Sequence, residues 1–197
     1  MAGGRSRRFG RDKALAVLNG QPLIRWSVEA LRDGAAVLAI NGPQPLCDLV
    51  GLPQVRDRTG LPAGPLAGIL GALHWATERG CSHVLTAPCD TPFLPPDMGA
   101  QLAKGVGDGP VIAAWAGRAQ PLCALWRIEA RAALEPLAAQ PRQPSLETII
   151  GAIGGGWLTF CDAAAFANLN TPAEFEAASR RGATPPAAAA SPVPPGS

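Results

Sequence analysis

Apolar runs of strand length alternate with helix-period segments along most of this chain, and that alternation restricts the fold more than any other feature. From Pro22, "PLIRWSVEALRDG" puts Leu23, Trp26, Ala30 and Leu31 on one helical face and stops at Gly34. "AAVLAIN" (35–41) then reads as a continuous apolar strand of the kind buried on both faces. A short helix in "QPLCDLVG", a short strand ending "QVRD", a glycine-started helix (64–80) and a second buried strand "SHVLTAP" (82–88) follow. After the loop "CDTPFLPPD" comes a helix to about Lys104, then strands "PVIAAW" (110–115) and "PLCALWR" (121–127) around the turn "AGRAQ". Helices near 129–139 and 145–152, the strand "WLTF" and the helix "TPAEFEAASRR" complete the pattern. The last helix carries a capping box, with Thr171 at the cap, Pro172 at the first position and Glu174 three residues on. Such alternation predicts an α/β fold of three layers with a mostly parallel central sheet.

In open parallel sheets, ligands bind beyond the carboxyl ends of the strands. Those ends bring Gly3 and Gly4, Asn41, Asp57 and Asp90 to one edge. Each has a plain explanation alone: Asn41 as a turn residue, Asp57 as a surface acid, Asp90 as a helix cap. Their joint placement is what those explanations miss. Asp90 stands directly after a buried strand, in a proline-fenced loop between Cys89 and Thr91. A lone carboxylate there suits Mg²⁺, which takes one or two carboxylates plus substrate phosphates.

The opening "MAGGRSRRFGRDKAL" supplies the complement. Gly3-Gly4 offers bare backbone to a ligand, and Arg5, Arg7, Arg8, Arg11 and Lys13 follow within ten residues. Backbone N–H groups with clustered cations make a phosphate cradle, so the implied chemistry is nucleotide-dependent phosphoryl or nucleotidyl transfer. The alternative is a basic, disordered N-terminus. The net charge of +2 is too mild to argue for nucleic acid, and the basic excess sits in this loop. No G-x-x-x-x-G-K-[ST], G-x-G-x-x-G, G-x-S-x-G or H-E-x-x-H is present, which argues against P-loop, dinucleotide, α/β-hydrolase and zincin chemistry.

Five cysteines (Cys47, Cys81, Cys89, Cys123, Cys161) make no CxxC pair and predict reduced, mostly buried thiols. His74 and His83 form no metal pattern and read as packing or surface residues. "SRRFG" faintly resembles a twin-arginine signal, but "ALAVL" is too short for an export segment, and no later run spans a bilayer. A soluble, cytoplasmic protein is expected. Residues 182–197 are rich in proline and alanine and predict a disordered tail after a single domain over 1–181.

Taken together, "AGGRSRRFGRDKAL", "NG" after a strand, Asp57 followed by "GPLAG", "PCDTPFLPPD", "PLCALW", "PSLETII" and "NLNTPAEF" resemble, in order, the molybdopterin-nucleotidyltransferase family. The resemblance spans residues 1 to about 178. It implies the Rossmann-like nucleotidyltransferase fold, and GTP, Mg²⁺ and a molybdenum-bound pterin as reactants. The products would be a guanine dinucleotide cofactor and diphosphate. By position it assigns Met1, Ala2, Gly3, Gly4, Lys13, Asn41 and Asp57 to GTP, Asp90 to GTP and the metal, and Gly64 and Gly68 to the nucleotide pocket. Asn168 and Asn170 would face the pterin. Lys13, Asp90 and Arg8 would be catalytic, neutralising two anionic reactants without a protein nucleophile. Molybdoenzyme chaperones and other cofactor-biosynthesis proteins are the candidate partners.

Rivals are the sister cytidylyltransferase, a sugar-phosphate nucleotidyltransferase and an idle nucleotide-binding module. Gly4 after Ala2-Gly3 favours guanine over cytosine, although Phe9 is common in the sister enzyme. The retained Lys13 and Asp90 argue against an idle copy. The family's glycine loop follows a buried apolar strand, here reduced to Met1 and Ala2. That strand would lie mid-sheet beside those ending at Asn41 and Asp90. Its loss would remove several buried side chains worth about 1.5–3 kcal/mol each, so Met1 is expected to be an internal position of a longer chain.

Overall fold

The computed structural model describes residues 13–105, 107–162 and 165–180. The opening loop, including Met1 to Gly4 and Arg8, and the expected tail lie outside the described residues, as does the strand expected at Met1 and Ala2.

Lys13–Leu15 form one turn of 3-10 helix, followed by a two-residue hairpin of β1 (Val17–Leu18) and β2 (Gln21–Pro22). Asn19 and Gly20 turn it with φ of 47° and 80°, the left-handed geometry that Asn-Gly supplies readily. Helix α1 (Leu23–Arg32) starts at once after Pro22, with Leu23, Ile24, Trp26 and Val28 buried. Next come β3 (Ile40–Asn41), α2 (Gln44–Val50), β4 (Gln54–Val55), α3 (Pro65–Thr77), β5 (His83–Thr86) and α4 (Met98–Lys104). β6 (Val111–Trp115), β7 (Arg118–Arg127), α5 (Ala130–Ala138), α6 (Leu146–Ala152), β8 (Gly156–Phe160) and α7 (Pro172–Arg180) complete the order.

The central sheet has the order β5-β7-β6-β8. β7 is antiparallel to both β5 and β6, while β6 and β8 are parallel. Three of the four strands therefore point one way and β7 runs against them. A tight hairpin explains the reversal: Ala116 and Gly117 carry positive φ (50° and 72°), and only two residues separate β6 from β7. β3 and β4 form a separate parallel pair.

Alternate residues of the central strands show the three layers directly. Ile112, Ala124 and Trp126 pack with Leu66, Ile69, Leu70 and Leu73 of α3 and with residues of α5 and α6. Val111, Ala113, Cys123 and Phe160 point the other way, against Met98 and Leu102 of α4. Trp126 is fully buried and donates its indole N–H to Thr86 Oγ1 at 3.0 Å, so its polar atom is satisfied.

Two strand expectations need correction. Of "AAVLAIN", only Ile40 and Asn41 join a ladder, and Val37 is 47% exposed. Burial of a strand on both faces requires a covered sheet, and this segment meets one two-residue neighbour, β4. β5 is likewise graded, from exposed His83 to buried Thr86, and lies at an edge of the described sheet with β7 as its neighbour. The thiols also differ: Cys47 and Cys123 are buried, Cys81 and Cys89 half-buried, and Cys161 exposed. Both histidines lie on the surface, His74 beside Glu78 at 3.5 Å and His83 on Ser82. No helix among the described residues is long and apolar enough to cross a membrane.

Candidate functional site

The site begins with a lysine in an unusual place. Lys13 is 7% exposed, although lysines are seldom buried without a partner. Its Nζ donates to Asp90 Oδ2 at 2.6 Å and to Asn170 Oδ1 at 2.5 Å. Residues far apart in sequence thus meet at one ammonium, each held by a different device.

The turn Lys13–Leu15 is closed by Ala16 N–H on Lys13 O (3.1 Å), and Leu23 N–H then ties α1 to Ala16 O (2.9 Å). The loop after β5 is pinned at Pro88 O, which accepts from Ser27 Oγ (3.2 Å) and Thr91 Oγ1 (3.3 Å). Both hydroxyl residues are buried, so these bonds stabilise the loop while removing the cost of an unpaired polar group. Asp90 O accepts from Leu169 N–H at 3.2 Å, joining that loop to the segment before α7.

Asn170 is set by the capping box of α7. Glu174 Oε2 accepts from the backbone N–H of Asn170 (2.6 Å) and of Thr171 (2.8 Å), and Thr171 Oγ1 accepts from Glu174 N–H (3.3 Å). These bonds hold the Glu174 carboxyl below its ordinary range, the Asn170 N–H contributing most. A chain Glu174–Asn170–Lys13–Asp90 therefore links a helix start to the loop after β5. The cap at Thr171 and the Asn170 side chain's bond to Lys13 coexist, as their adjacent positions allow. Asp90's charge is also felt beneath the sheet: burial first, then that charge, pushes the Cys123 thiol up to about 12, so it remains protonated.

A second group lies at the ends of β3 and β4. Asn41 Nδ2 donates to Asp57 Oδ1 at 2.8 Å and to Val55 O at 3.2 Å. No hydrogen bond joins this pair to the Lys13 group among the described residues. Gly64 precedes α3 with an extended backbone, and Gly68 is buried in its first turns. Of the α3 glycines, Gly71 has a direct steric need for its missing Cβ. A Cβ on Gly71 would stand 2.1 Å from Arg56 O, so the chain carrying Asp57 crosses α3 at van der Waals contact. Arg58 N–H donates to Ala67 O at 2.9 Å and fixes that crossing. The spacing Gly64, Gly68, Gly71 along one helical face was the available signal.

Beside Asn170 opens a pocket of about 480 Å³, between the β6–β7 hairpin and α7, lined in part by Asn168, Trp115, Arg118 and Gln120. Asn168 and Asn170 thus line one cavity, together with Trp115, Arg118 and Gln120, which no motif in the sequence marks as site residues. No group of three His, Cys, Asp or Glu side chains suited to a metal occurs among the described residues.

The chain is similar to known proteins over most of its length. The family described as "MobA-like NTP transferase domain" matches residues 1–153. A protein of Cereibacter sphaeroides named molybdenum cofactor guanylyltransferase is 38% identical over 183 residues, covering 89% of this chain and 91% of its own. One of the same name from Acidiphilium cryptum is 35% identical, covering 90% and 91%. Among solved structures, molybdopterin-guanine dinucleotide biosynthesis protein A from Archaeoglobus fulgidus superposes with a TM-score of 0.73 at 22% identity, covering 92% of this chain and 95% of its own. At that identity the last match speaks for the fold.

Proposed function

The chain belongs to the MobA-like NTP transferase family, and we propose that it transfers the guanylyl group of GTP to the terminal phosphate of a molybdenum-bound pterin. A pterin phosphate oxygen forms the new bond to the α-phosphorus of GTP. The bond from that phosphorus to the β-phosphate breaks, and diphosphate leaves. The observation that carries this reading is the buried Lys13 ammonium bridged between Asp90 and Asn170 beyond the end of β5.

Both reactants are anions, so the protein's task is neutralisation and alignment. Lys13 is the described cation of the centre, and anchoring from two sides fixes where its charge sits. Arg8 and the Met1–Gly4 loop complete the phosphate cradle in this proposal, on the strength of the sequence. The Asn41–Asp57 pair contacts GTP, with Gly64 and Gly68 bordering the nucleotide at the start of α3. Asn170 sits where the Lys13 cluster meets the 480 Å³ pocket, a placement that supports pterin contact for Asn170 and Asn168.

Asp90 is the residue to hold a divalent cation, Mg²⁺ in this reading. Its side chain is 25% exposed, with an amide oxygen beside the same ammonium. One carboxylate without a protein cage fits Mg²⁺, which fills its remaining positions with water and phosphate oxygens. When bound, the ion supplies charge neutralisation on the phosphates as diphosphate departs.

The test is incubation of the pure protein with Mg²⁺, molybdenum-pterin and either GTP or CTP labelled at the α-phosphate. Label from GTP enters the pterin, and CTP is poorer by about 10²-fold or more, since a site that hydrogen-bonds one base rejects another strongly. Equal incorporation would defeat the guanylyl assignment, and a preference for CTP would identify a cytidylyltransferase.

A further inference from the structure

We infer that Arg118 and Gln120, on the β6–β7 hairpin, recognise the ring edge of the acceptor, with Trp115 beside them; this rests on the guanylyl-transfer reading above. The geometry starts from strand pairing. Trp115 lies opposite Arg118 and Ala113 opposite Gln120 in the antiparallel register, and residues two apart share a face. Trp115, Arg118 and Gln120 therefore stand together on the face that lines the pocket.

Two other lining side chains, Phe93 and Phe166, are aromatic and held in place. Phe93 packs edge-on against Trp26 with centroids 6.1 Å apart, and Phe166 packs edge-on against Phe160 at 5.2 Å. Trp26 is fixed in turn by its indole N–H on Leu18 O at 3.3 Å. Rigid aromatic walls with a few polar groups suit a flat heteroaromatic ring, and the volume of about 480 Å³ is that of a small-molecule site.

The polar groups are divided between the two sides. On the α7 side, Asn170 is bonded to Lys13 and Glu174 is committed to backbone N–H groups. On the hairpin side, Arg118 is the lining residue that carries positive charge, and its guanidinium forms no ion pair among the described residues. A fused pterin ring presents oxygen and nitrogen acceptors together with N–H donors along one edge. A planar guanidinium fork beside a carboxamide matches such an edge, whereas a lysine would not. The acceptor then spans the pocket, its phosphate at Lys13 and its ring edge at the hairpin.

The experiment measures binding and turnover separately. Equilibrium dialysis with molybdenum-pterin and no GTP gives the acceptor Kd, and steady-state transfer gives both KM values. Arg118→Ala weakens acceptor binding by about tenfold or more, Gln120→Ala by a smaller factor, and each leaves the KM for GTP within about twofold of wild type. Arg118→Lys recovers little of the loss. Unchanged acceptor binding in Arg118→Ala overturns the inference, as does an equal rise in the KM for GTP. Full recovery in Arg118→Lys overturns the ring-edge assignment. If the wild type transfers no GMP, the guanylyl reading fails, and acceptor dialysis still decides the role of Arg118.

Discussion

Two polar groups of this protein are built in opposite ways. Lys13, Asp90 and Asn170 come from segments up to 157 residues apart, and the ammonium at their centre is almost fully buried. Asn41 and Asp57 are 16 residues apart and joined by one parallel strand pair, Asn41 half-buried and Asp57 exposed to solvent. The first group is charge-compensated and fixed by bonds from α1, the loop after β5 and the cap of α7. The second rests on a two-residue ladder and one tight helix crossing. In the proposed reaction the first group faces the transferring phosphate, where position decides rate. The second contacts the rest of the nucleotide, where some give costs affinity more than turnover.

The largest effect that would break this division is in Asp90→Asn, which keeps the shape and removes the charge. Turnover should fall by about 10²-fold or more, while Tm stays within about 5 °C because Asp90 is partly solvated. Wild-type turnover at ordinary Mg²⁺ would place the metal elsewhere. Lys13→Ala comes next, with a loss of about 10- to 100-fold in kcat/KM for GTP, the range for one charged hydrogen bond. Arg5→Ala should change little by the same assay, and equal damage from both would mean that the basic segment acts as diffuse charge.

Gly71→Ala probes the second group without touching it. The new methyl meets Arg56 O, so the chain holding Asp57 must move, at a cost of about 1–3 kcal/mol in stability. Urea denaturation and the KM for GTP should both shift, with kcat nearly retained. A fall in kcat matching that of Lys13→Ala would erase the contrast between the two groups.

Glu174→Gln has the smallest expected effect. The Glu174 carboxyl titrates below its ordinary value of 4.5, so its charged form stabilises the fold above that value. The stabilisation is lost as pH falls through the depressed folded-state value. The variant should therefore melt slightly below wild type at pH 7, by a small margin because the carboxyl is exposed, and the two should converge as pH falls between about 5 and 3. An unchanged acid limb would mean that the cap is not held by the carboxylate.

These contrasts also track what could be read from residues alone. The capping box of α7, the apolar strands β6 and β7 and the amphipathic α1 depend on neighbours a few positions away, and the structure has all of them. Val37 to Ala39 looked like strand because apolarity is a property of residues, whereas a ladder needs a partner on the sheet. Asn19-Gly20, directly after the apolar run "ALAVL", is the local signal for the hairpin that forms. Asp90 and Asn170 were each recognisable as candidates from their local motifs. Their meeting at Lys13 was not, since no short-range pattern encodes a contact across 157 residues. Gly71 shows the same limit: which glycine of α3 needs its missing Cβ depends on where Arg56 crosses.

The claim that Lys13 and Asp90 act as one reaction centre is tested most directly by a double-mutant cycle in single-turnover guanylyl transfer, comparing Lys13→Ala, Asp90→Asn and the double variant at saturating GTP and Mg²⁺. Groups that work as a unit are strongly non-additive, so the double variant should be about as slow as the slower single variant. A double variant whose loss equals the product of the two single losses would contradict the account.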